Sequence, residues 1–293
     1  MPVLNEFMLM ITQLGEETAF LVTALIMFWC IDKRSGYYVL GVGFIGTLIN
    51  QFMKLSFRIP RPWVVDENFT ILEQAREAAS GYSFPSGHTQ SAVGTFGGIA
   101  YITKDKWIRA AAIVIAFLVP LSRMYIGVHT PLDVSVAALI ALVLIFVLKP
   151  IVFNNNGKFI PLLFCVMSVM AVLFMCYVEF YSFPADIDQH NLASGVKNAY
   201  TLTGALAGLL AVYIVDRKWL NFSTKACWWA QLLKVVIGLL LVLAVKSGLK
   251  TPLNALFGES IGRSVRYFLI VVTAGILWPL SFRIFQKFGS KEK

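Results

Sequence analysis

Residues 131–149 read PLDVSVAALIALVLIFVLK, and this stretch decides the fold class of the chain. Between Asp133 and Lys149 it carries no charged side chain. A helix needs about 20 predominantly apolar residues to cross the hydrocarbon core of a bilayer. Pro131 suits the first turn of such a helix, where a backbone N–H has no intrahelical partner anyway. The stretch therefore predicts a transmembrane helix that begins at a membrane surface near Asp133.

The rest of the chain has the same apolar character. Of its 293 residues, 58% are hydrophobic and 14% are charged, whereas a soluble domain has about 45–50% apolar and about 25% charged residues. This composition argues against a soluble domain and predicts an all-α, polytopic transmembrane helical bundle. We predict about nine spans, with approximate cores at 15–31, 37–53, 86–103, 107–122, 131–149, 159–180, 198–215, 228–246 and 264–283.

Three short polar pieces stand at the ends of predicted spans, and they hold two of the three histidines of the chain. The pieces are Lys54-x6-Arg61-Pro62, Pro85-Ser86-Gly87-His88 and Ser122-Arg123-x5-His129-x3-Asp133. Cations, histidines, a carboxylate and a helix start are the groups that bind and transfer a phosphoryl group. The pieces together predict one phosphate-handling site at a membrane surface.

The third piece can supply a nucleophile. His129 and Asp133 are four residues apart, so both lie on one face of a helical first turn. A carboxylate that accepts a hydrogen bond from one imidazole nitrogen fixes the tautomer and leaves the other nitrogen free to attack. The alternative is a helix-capping residue beside an interfacial histidine, and the spacing alone leaves that alternative open.

The second piece opens the predicted span at 86–103. Backbone N–H groups at a helix N-terminus bind anions, Gly87 allows a close approach of the backbone, and Ser86 adds a hydroxyl. Helix capping by Ser86 explains the Pro-Ser-Gly part about as well. Capping does not require His88, which is therefore the residue that favours a catalytic role for this piece.

The remaining cations are Lys54, Arg61 and Arg123. Together they could neutralise a bound phosphate and the charge that develops in its transition state. Basic residues at the end of a transmembrane helix are often only anchors whose charged ends reach the membrane surface. That alternative is weaker for Arg61, which stands before Pro62 and close to Trp63.

In order and spacing, the three pieces match the signature KxxxxxxRP, PSGH and SRxxxxxHxxxD, and over about residues 15–150 the chain resembles the type 2 phosphatidic acid phosphatase family. The superfamily also includes the vanadium haloperoxidases. The resemblance implies a helical-bundle phosphatase that needs no metal. By analogy, His129 would form a phosphohistidine, Asp133 would orient it and His88 would protonate the leaving oxygen. The implied phosphate-binding residues are Lys54, Arg61, Ser86, Gly87 and Arg123.

No metal or other cofactor is expected from the sequence. The four cysteines lie in or beside apolar stretches, and no CxxC or Cys/His spacing is present. The expected partners are the bilayer and a lipid phosphate substrate, with no nucleic acid.

The distribution of Lys and Arg predicts the orientation in the membrane. These residues are more numerous in the loops that alternate with the motif-bearing loops, and the loops richer in Lys and Arg are usually cytoplasmic. All three pieces then face the non-cytoplasmic side of an integral membrane protein, for which we expect a bacterial plasma membrane.

The chain divides by sequence into a phosphatase core at 1–153 and a four-span extension at 154–293. A nine-span layout with an outward site is similar to the glucose-6-phosphatases, but that family lacks the acid corresponding to Asp133. Long C-terminal extensions also occur in sphingosine-1-phosphate phosphatases.

We therefore expect hydrolysis of a lipid phosphate or diphosphate, such as undecaprenyl diphosphate, phosphatidylglycerophosphate, phosphatidic acid or lipid A phosphate. Three alternatives stay open: a phosphatase for a soluble sugar phosphate, a lipid phosphotransferase, and a transporter or binding protein built on a decayed phosphatase core.

Two segments outside the predicted spans also carry helical patterns. Residues 1–12 predict a short interfacial helix. In the long loop at 62–85, residues 69–79 predict a helix on the membrane surface. The loop brings Trp63, Phe69, Ile71 and Leu72 to that surface, and we expect it to contribute to the choice of lipid.

Overall fold

The computed structural model describes residues 2–76, 79 and 81–287, and the regular elements in this part of the chain are all helices. The α-helices up to the third motif are α1 (Pro2–Gln13), α2 (Glu17–Ile26), α3 (Lys33–Phe57), α4 (Pro62–Val65), α5 (Glu73–Arg76), α6 (Gly87–Ala92), α7 (Gly98–Ile102), α8 (Lys106–Tyr125) and α9 (Pro131–Phe153). They are followed by α10 (Ile160–Phe180), α11 (Gln189–Val215), α12 (Trp228–Gly248), α13 (Lys250–Val272), α14 (Trp278–Leu280) and α15 (Phe282–Lys287). The predicted all-α class is confirmed.

Wider helical turns extend or join several of these helices, and one short 3₁₀ turn follows α9. The π-helical turns are Met27–Ile31, Val93–Gly97, Asp216–Leu220 and Thr273–Leu277, and the 3₁₀ turn is Asn154–Gly157.

Seven helical stretches among the described residues are long and apolar enough to cross a membrane. They are Lys33–Val65, Lys106–Tyr125, Pro131–Phe153, Ile160–Phe180, Gln189–Leu220, Trp228–Gly248 and Lys250–Phe285. An eighth is counted if Pro2–Gln13 and Glu17–Ile31, which meet at a bend of 53°, form one span. The predicted count of nine is not reproduced. The predicted span at 86–103 corresponds to the short helices α6 and α7, which are not among these stretches.

The chain forms two compact units. The first consists of Met1–Thr23, Tyr38–Lys158 and Ser182–Gly195, and it contains all three motifs. The second consists of Ala24–Tyr37, Phe159–Tyr181 and Val196–Lys293. The functional division at 153/154 stays a prediction.

Within the first unit, capping and small residues set the helices that carry the motifs. Asp105 caps α8 by accepting hydrogen bonds from the backbone N–H of Trp107 and Ile108, at 2.8 and 3.0 Å. A Cβ at Gly46 would lie 2.2 Å from the end of the Gln90 side chain, so a larger residue on α3 would displace that side chain of α6.

The loop at 62–85 is less helical than predicted. Its described helices are α4, which Pro62 begins, and the short α5. Residues 69–72 precede α5 without helix, and 77 and 78 of the predicted helix lie outside the described residues. The Leu72 N–H donates to the carbonyl of Ile126 at 3.2 Å, so the chain is tied to the loop before α9 instead of entering a helix.

The second unit is held by buried polar contacts between its own helices. The Trp29 indole N–H donates to the carbonyl of Ala274 at 2.8 Å. Lys33 pairs with Asp216 at 2.8 Å. These contacts fix the segment Ala24–Tyr37 against the helices of the extension.

Candidate active site

The three motifs meet in the first unit, where the ends of several helices converge. Lys54 lies in the last turn of α3 and Arg123 in the last turn of α8, whereas His88 and Asp133 lie in the first turns of α6 and α9. The backbone N–H of Ser86 donates to the carbonyl of Asp133 at 3.1 Å, which joins the second motif to the third. Residues separated by up to about 80 positions along the chain thus form one site.

His129 lies between a carboxylate and a guanidinium. Its Nδ1 is 3.4 Å from Asp133 Oδ2, and its Nε2 is 2.9 Å from Arg61 Nη1. Arginine can only donate hydrogen bonds, so Nε2 carries the lone pair and Nδ1 carries the proton that faces Asp133. His129 and Asp133 are only 3% and 2% exposed, so this arrangement is shielded from bulk water.

The same aspartate also caps its helix. Asp133 Oδ2 accepts a hydrogen bond from the Thr130 N–H at 2.8 Å, and the Asp133 N–H donates to Thr130 Oγ1 at 3.3 Å. This reciprocal capping box fixes the carboxylate. The capping alternative for the third motif is therefore true of Asp133, but it does not displace the contact with His129.

Ser83 is a site residue that the sequence did not indicate. Its hydroxyl donates to Asp133 Oδ2 at 2.6 Å and lies 3.4 Å from His129 Nδ1. Ser83 is 1% exposed, so the hydroxyl has no access to bulk water. Asp133 therefore has three neighbours that hold it in place: His129, Thr130 and Ser83.

Lys54 and Arg61 donate hydrogen bonds to the loop that precedes the second motif. Lys54 Nζ donates to the carbonyl oxygens of Tyr82 and Ser83. Arg61 Nε donates to the carbonyl of Gly81 at 3.1 Å, and Arg61 Nη1 donates to the carbonyl of Val128 at 2.9 Å. Both cations are less than a tenth exposed. They are therefore not anchors at the membrane surface.

Arg123 is buried against the N-terminal helix. Its Nη1 donates to Thr12 Oγ1 at 2.8 Å, and Thr12 lies on α1. Among the described residues, Arg123 Nε has no hydrogen-bond partner although it is buried. A buried guanidinium N–H without a partner is costly, and a phosphoryl oxygen would satisfy it. Thr12 is a second residue that the sequence did not indicate.

The second motif provides the start of a helix. Ser86 caps α6, and its hydroxyl accepts a hydrogen bond from the Thr89 N–H at 3.4 Å. Asn50 supports the turn by donating from Nδ2 to the carbonyl of Pro85 at 3.2 Å. Gly15, at the bend between α1 and α2, packs so closely that a Cβ there would lie 2.9 Å from the His88 carbonyl oxygen.

The charges around His129 favour its neutral form. His129 lies in the loop between α8 and α9, where burial lowers its pKa well below the usual range. The nearby Arg61, Arg123 and Lys54 lower the pKa further, and the hydrogen bond with Asp133 opposes them. Neutral imidazole is the form that can act as a nucleophile at pH 7.

Three cationic side chains bring positive charge to the site. Within the described ranges no group of three or more His, Cys, Asp or Glu residues could hold a metal ion. Lys54, Arg61 and Arg123 are the groups available there to stabilise a phosphoryl group.

Comparison with known families supports this interpretation. Residues 34–157 match the PAP2 superfamily, and residues 200–291 match the transmembrane extension of PAP2 superfamily phosphatases. All three motifs lie in the first matched region, and the second lies wholly after it.

Curated relatives fall into two groups: bacterial phosphatases that match about half of this chain, and a mammalian phosphatase that matches most of it. Phosphatidylglycerophosphatase B of Bacillus subtilis is 33% identical over 161 residues, 50% of this chain and 75% of the relative. Undecaprenyl-diphosphatase BcrC of Bacillus subtilis is 29% identical over 146 residues, 49% of this chain and 72% of the relative. Sphingosine-1-phosphate phosphatase 1 of Mus musculus is 25% identical over 256 residues, 82% of this chain but only 58% of the relative.

No solved structure gives a significant match. Two family models match this chain, and the relative that is 33% identical is covered over 75% of its length. The chain therefore belongs to the PAP2 superfamily, as a metal-independent membrane lipid phosphatase that carries the transmembrane extension of that family.

Proposed function

We propose that this phosphatase hydrolyses a lipid phosphate or diphosphate through a phosphohistidine intermediate on His129. The observation that carries the proposal is the position of His129, with Nδ1 facing Asp133 at 3.4 Å and Nε2 facing Arg61 at 2.9 Å. A nucleophile oriented from behind and a cation beside the attacking nitrogen are what phosphoryl transfer requires.

The reaction would run in two steps. Arg61 Nη1 first moves its N–H from the Nε2 lone pair of His129 to a phosphoryl oxygen. Nε2 then attacks phosphorus, the bond to the leaving oxygen breaks, and His88 gives that oxygen a proton. Water then attacks the phosphohistidine, inorganic phosphate leaves, and the proton that water loses returns to His88. The residues that would bind the phosphoryl oxygens are Lys54, Arg61, Ser86, Gly87 and Arg123.

The relatives and the membrane setting support this substrate class. The activities of the relatives suggest undecaprenyl diphosphate, phosphatidylglycerophosphate and sphingosine 1-phosphate as candidates. Phosphatidic acid and lipid A phosphate share the same reactive group. All are amphiphiles whose phosphate lies at the level where the transmembrane helices end.

The site would face the non-cytoplasmic side of the membrane, which we propose is a bacterial plasma membrane. The excess of Lys and Arg in the loops that alternate with the motif-bearing loops supports this orientation. We also propose that residues 1–153 carry the chemistry and that residues 154–293 form a membrane extension.

Substitution of the nucleophile tests the proposal. His129→Ala should abolish phosphate release from each lipid and should abolish an acid-labile phosphoenzyme trapped from ³²P-labelled substrate. His88→Ala should slow lipid turnover by roughly 10²–10⁴-fold, the usual worth of a general acid. It should retain more activity on an aryl phosphate, whose leaving group needs little protonation.

The same assays separate the alternatives. Phosphate release by His129→Ala at the wild-type rate would rule out the proposed intermediate. Equal efficiency on glucose 6-phosphate and on a long-chain lipid phosphate would favour a sugar-phosphate phosphatase. Transfer of the ³²P label to an acceptor alcohol in place of water would favour a phosphotransferase.

A further inference from the structure

A buried arginine in the second unit has no acceptor for two of its nitrogens. Arg266 lies on α13 and is only 5% exposed. Among the described residues, neither its Nε nor its Nη1 has a hydrogen-bond partner. No ion pair between Arg266 and a carboxylate is found in the described part of the chain. Its guanidinium lies 5.7 Å from the centre of the Tyr267 ring, a contact that does not neutralise its charge.

This burial distinguishes Arg266 from an anchor at the membrane surface. An arginine near the end of a transmembrane helix usually extends its charged end into water. A guanidinium that is shielded from water and has no anionic partner is unfavourable, because nothing replaces the hydration that it loses. Ionisable side chains within membrane helices are accordingly rare and are in most cases paired. The environment of Arg266 therefore suits a bound anion.

The chain folds back on itself shortly before Arg266. The backbone of α13 is interrupted at Gly258, which has φ of 76°. A Cβ at Gly262 would lie 2.6 Å from the carbonyl oxygen of Leu253. In a straight helix, residues nine positions apart are separated by about 13 Å along the axis. The two sides of the break therefore run side by side in opposite directions, as the tip of a helical hairpin.

The same antiparallel packing continues along α12. The Trp278 indole N–H donates to the carbonyl of Lys234 at 3.0 Å, which joins the returning chain to α12. In this register Arg266, one turn after Gly262, lies level with the junction between α12 and α13 at Lys250. Because α12 has 21 residues, enough to cross a bilayer, this junction and Arg266 lie near a membrane surface.

The tip of the hairpin carries an excess of positive charge. Residues 246–266 contain one acid, Glu259, and four basic side chains, which are Lys246, Lys250, Arg263 and Arg266. Glu259 is already paired with Arg263 at 3.1 Å, so it does not neutralise Arg266. Basic side chains near a membrane surface attract anionic lipid headgroups. Negatively charged groups at this surface are therefore drawn towards Arg266.

We propose that Arg266 is the centre of a second phosphate-binding site, which takes the phosphate group of an anionic phospholipid or free inorganic phosphate. Guanidinium N–H groups donate strong, charge-assisted hydrogen bonds to phosphate oxygens. The site belongs to the transmembrane extension, and its existence does not depend on the reaction proposed at His129.

Thermal unfolding of the purified full chain in detergent tests this site. Phosphatidylglycerol, which carries a phosphodiester, is compared with diacylglycerol of the same acyl chains and with inorganic phosphate. We expect phosphatidylglycerol to raise the unfolding midpoint of the wild type by about 5 °C, as a ligand well above its Kd does. Diacylglycerol should leave the midpoint unchanged. A similar rise with inorganic phosphate would show that the phosphate group alone is sufficient.

Two substitutions on α13 separate a specific site from general attraction to the membrane. Arg266→Gln should abolish the rise caused by phosphate-containing ligands. It should not lower the midpoint without ligand, because it removes a buried charge that the described chain leaves unpaired. Arg263→Gln is the matched control, since Arg263 lies one turn earlier and is already paired with Glu259. It should retain the rise.

A full rise in Arg266→Gln, or no rise in the wild type with either phosphate-containing ligand, would overturn the proposal. A lower midpoint of Arg266→Gln without ligand would also overturn it, because Arg266 would then be satisfied within the chain. Native mass spectrometry of the wild type adds a measurement that needs no variant. Phosphatidylglycerol should stay bound to the protein and diacylglycerol should not, and equal retention of the two lipids would contradict a phosphate site.

Discussion

Ser83 shows how one hydroxyl can position the proposed catalytic pair, His129 and Asp133. Its donation to Asp133 Oδ2 at 2.6 Å is the shortest of the contacts that hold this carboxylate. We expect Ser83→Ala to lower kcat about tenfold with little change in KM, because Asp133 then turns away from His129 while the phosphate-binding cations remain. Rates of phosphoenzyme formation in a single turnover measure this directly.

The control for Ser83 is Ser135→Ala, since Ser135 lies exposed on α9. It should behave as the wild type. A wild-type kcat in Ser83→Ala would mean that Thr130 alone fixes Asp133.

Residues within one helical turn could be predicted from the sequence, and residues joined across the fold could not. His129 and Asp133 are four positions apart, so their spacing predicts their contact. Ser83 is 50 positions from Asp133, and Thr12 is 111 positions from Arg123. A single buried hydroxyl leaves no periodic pattern in a sequence, so only the packed structure identifies these two residues.

At the scale of elements, α1 contacts the candidate active site. The sequence predicts a helix for residues 1–12, and the structure contains one, but its Thr12 side chain is buried against Arg123. The amphipathic pattern identifies the apolar face of a helix without identifying what that face contacts. We therefore propose a second role for this helix, in which Thr12 positions Arg123, one of the proposed phosphate-binding cations.

Thr12→Val tests that role of α1. The substitution keeps the shape of the side chain and removes the acceptor for Arg123 Nη1. We expect KM for a lipid phosphate and the inhibition constant for vanadate to rise about tenfold, since a hydrogen bond to a charged group contributes about 1.5–3 kcal/mol. Titration of phosphate release with vanadate measures the change.

Asn5→Ala is the matched control on the same helix, because Asn5 also accepts a hydrogen bond from α8, at 2.8 Å from the Tyr125 hydroxyl, but at an exposed position. It should leave both constants unchanged. Equal effects of the two substitutions would show that α1 acts only by stabilising the fold.

At the scale of the whole molecule, the number of spans depends on packing as well as on the pattern of apolar residues. Residues 86–103 predict a span, yet α6 and α7 have only six and five residues and are joined by a five-residue π-helical turn. The segment is rich in glycine and packs inside the first unit, where Gly94 and Gly97 would each bring a Cβ to within 3.1 Å of a neighbouring side chain. Its length alone therefore does not determine whether it crosses the bilayer.

Cysteine labelling at both ends of that segment tests the orientation of the whole molecule. Glu67 precedes α6 and Lys104 follows α7, and both side chains are exposed. In a variant whose four cysteines are replaced by serine, Glu67→Cys should react with a membrane-impermeant maleimide in intact cells. Lys104→Cys should react only after permeabilisation. Labelling of both in intact cells would mean that α6–α7 does not cross the membrane, and the reverse pattern would place the phosphatase site in the cytoplasm.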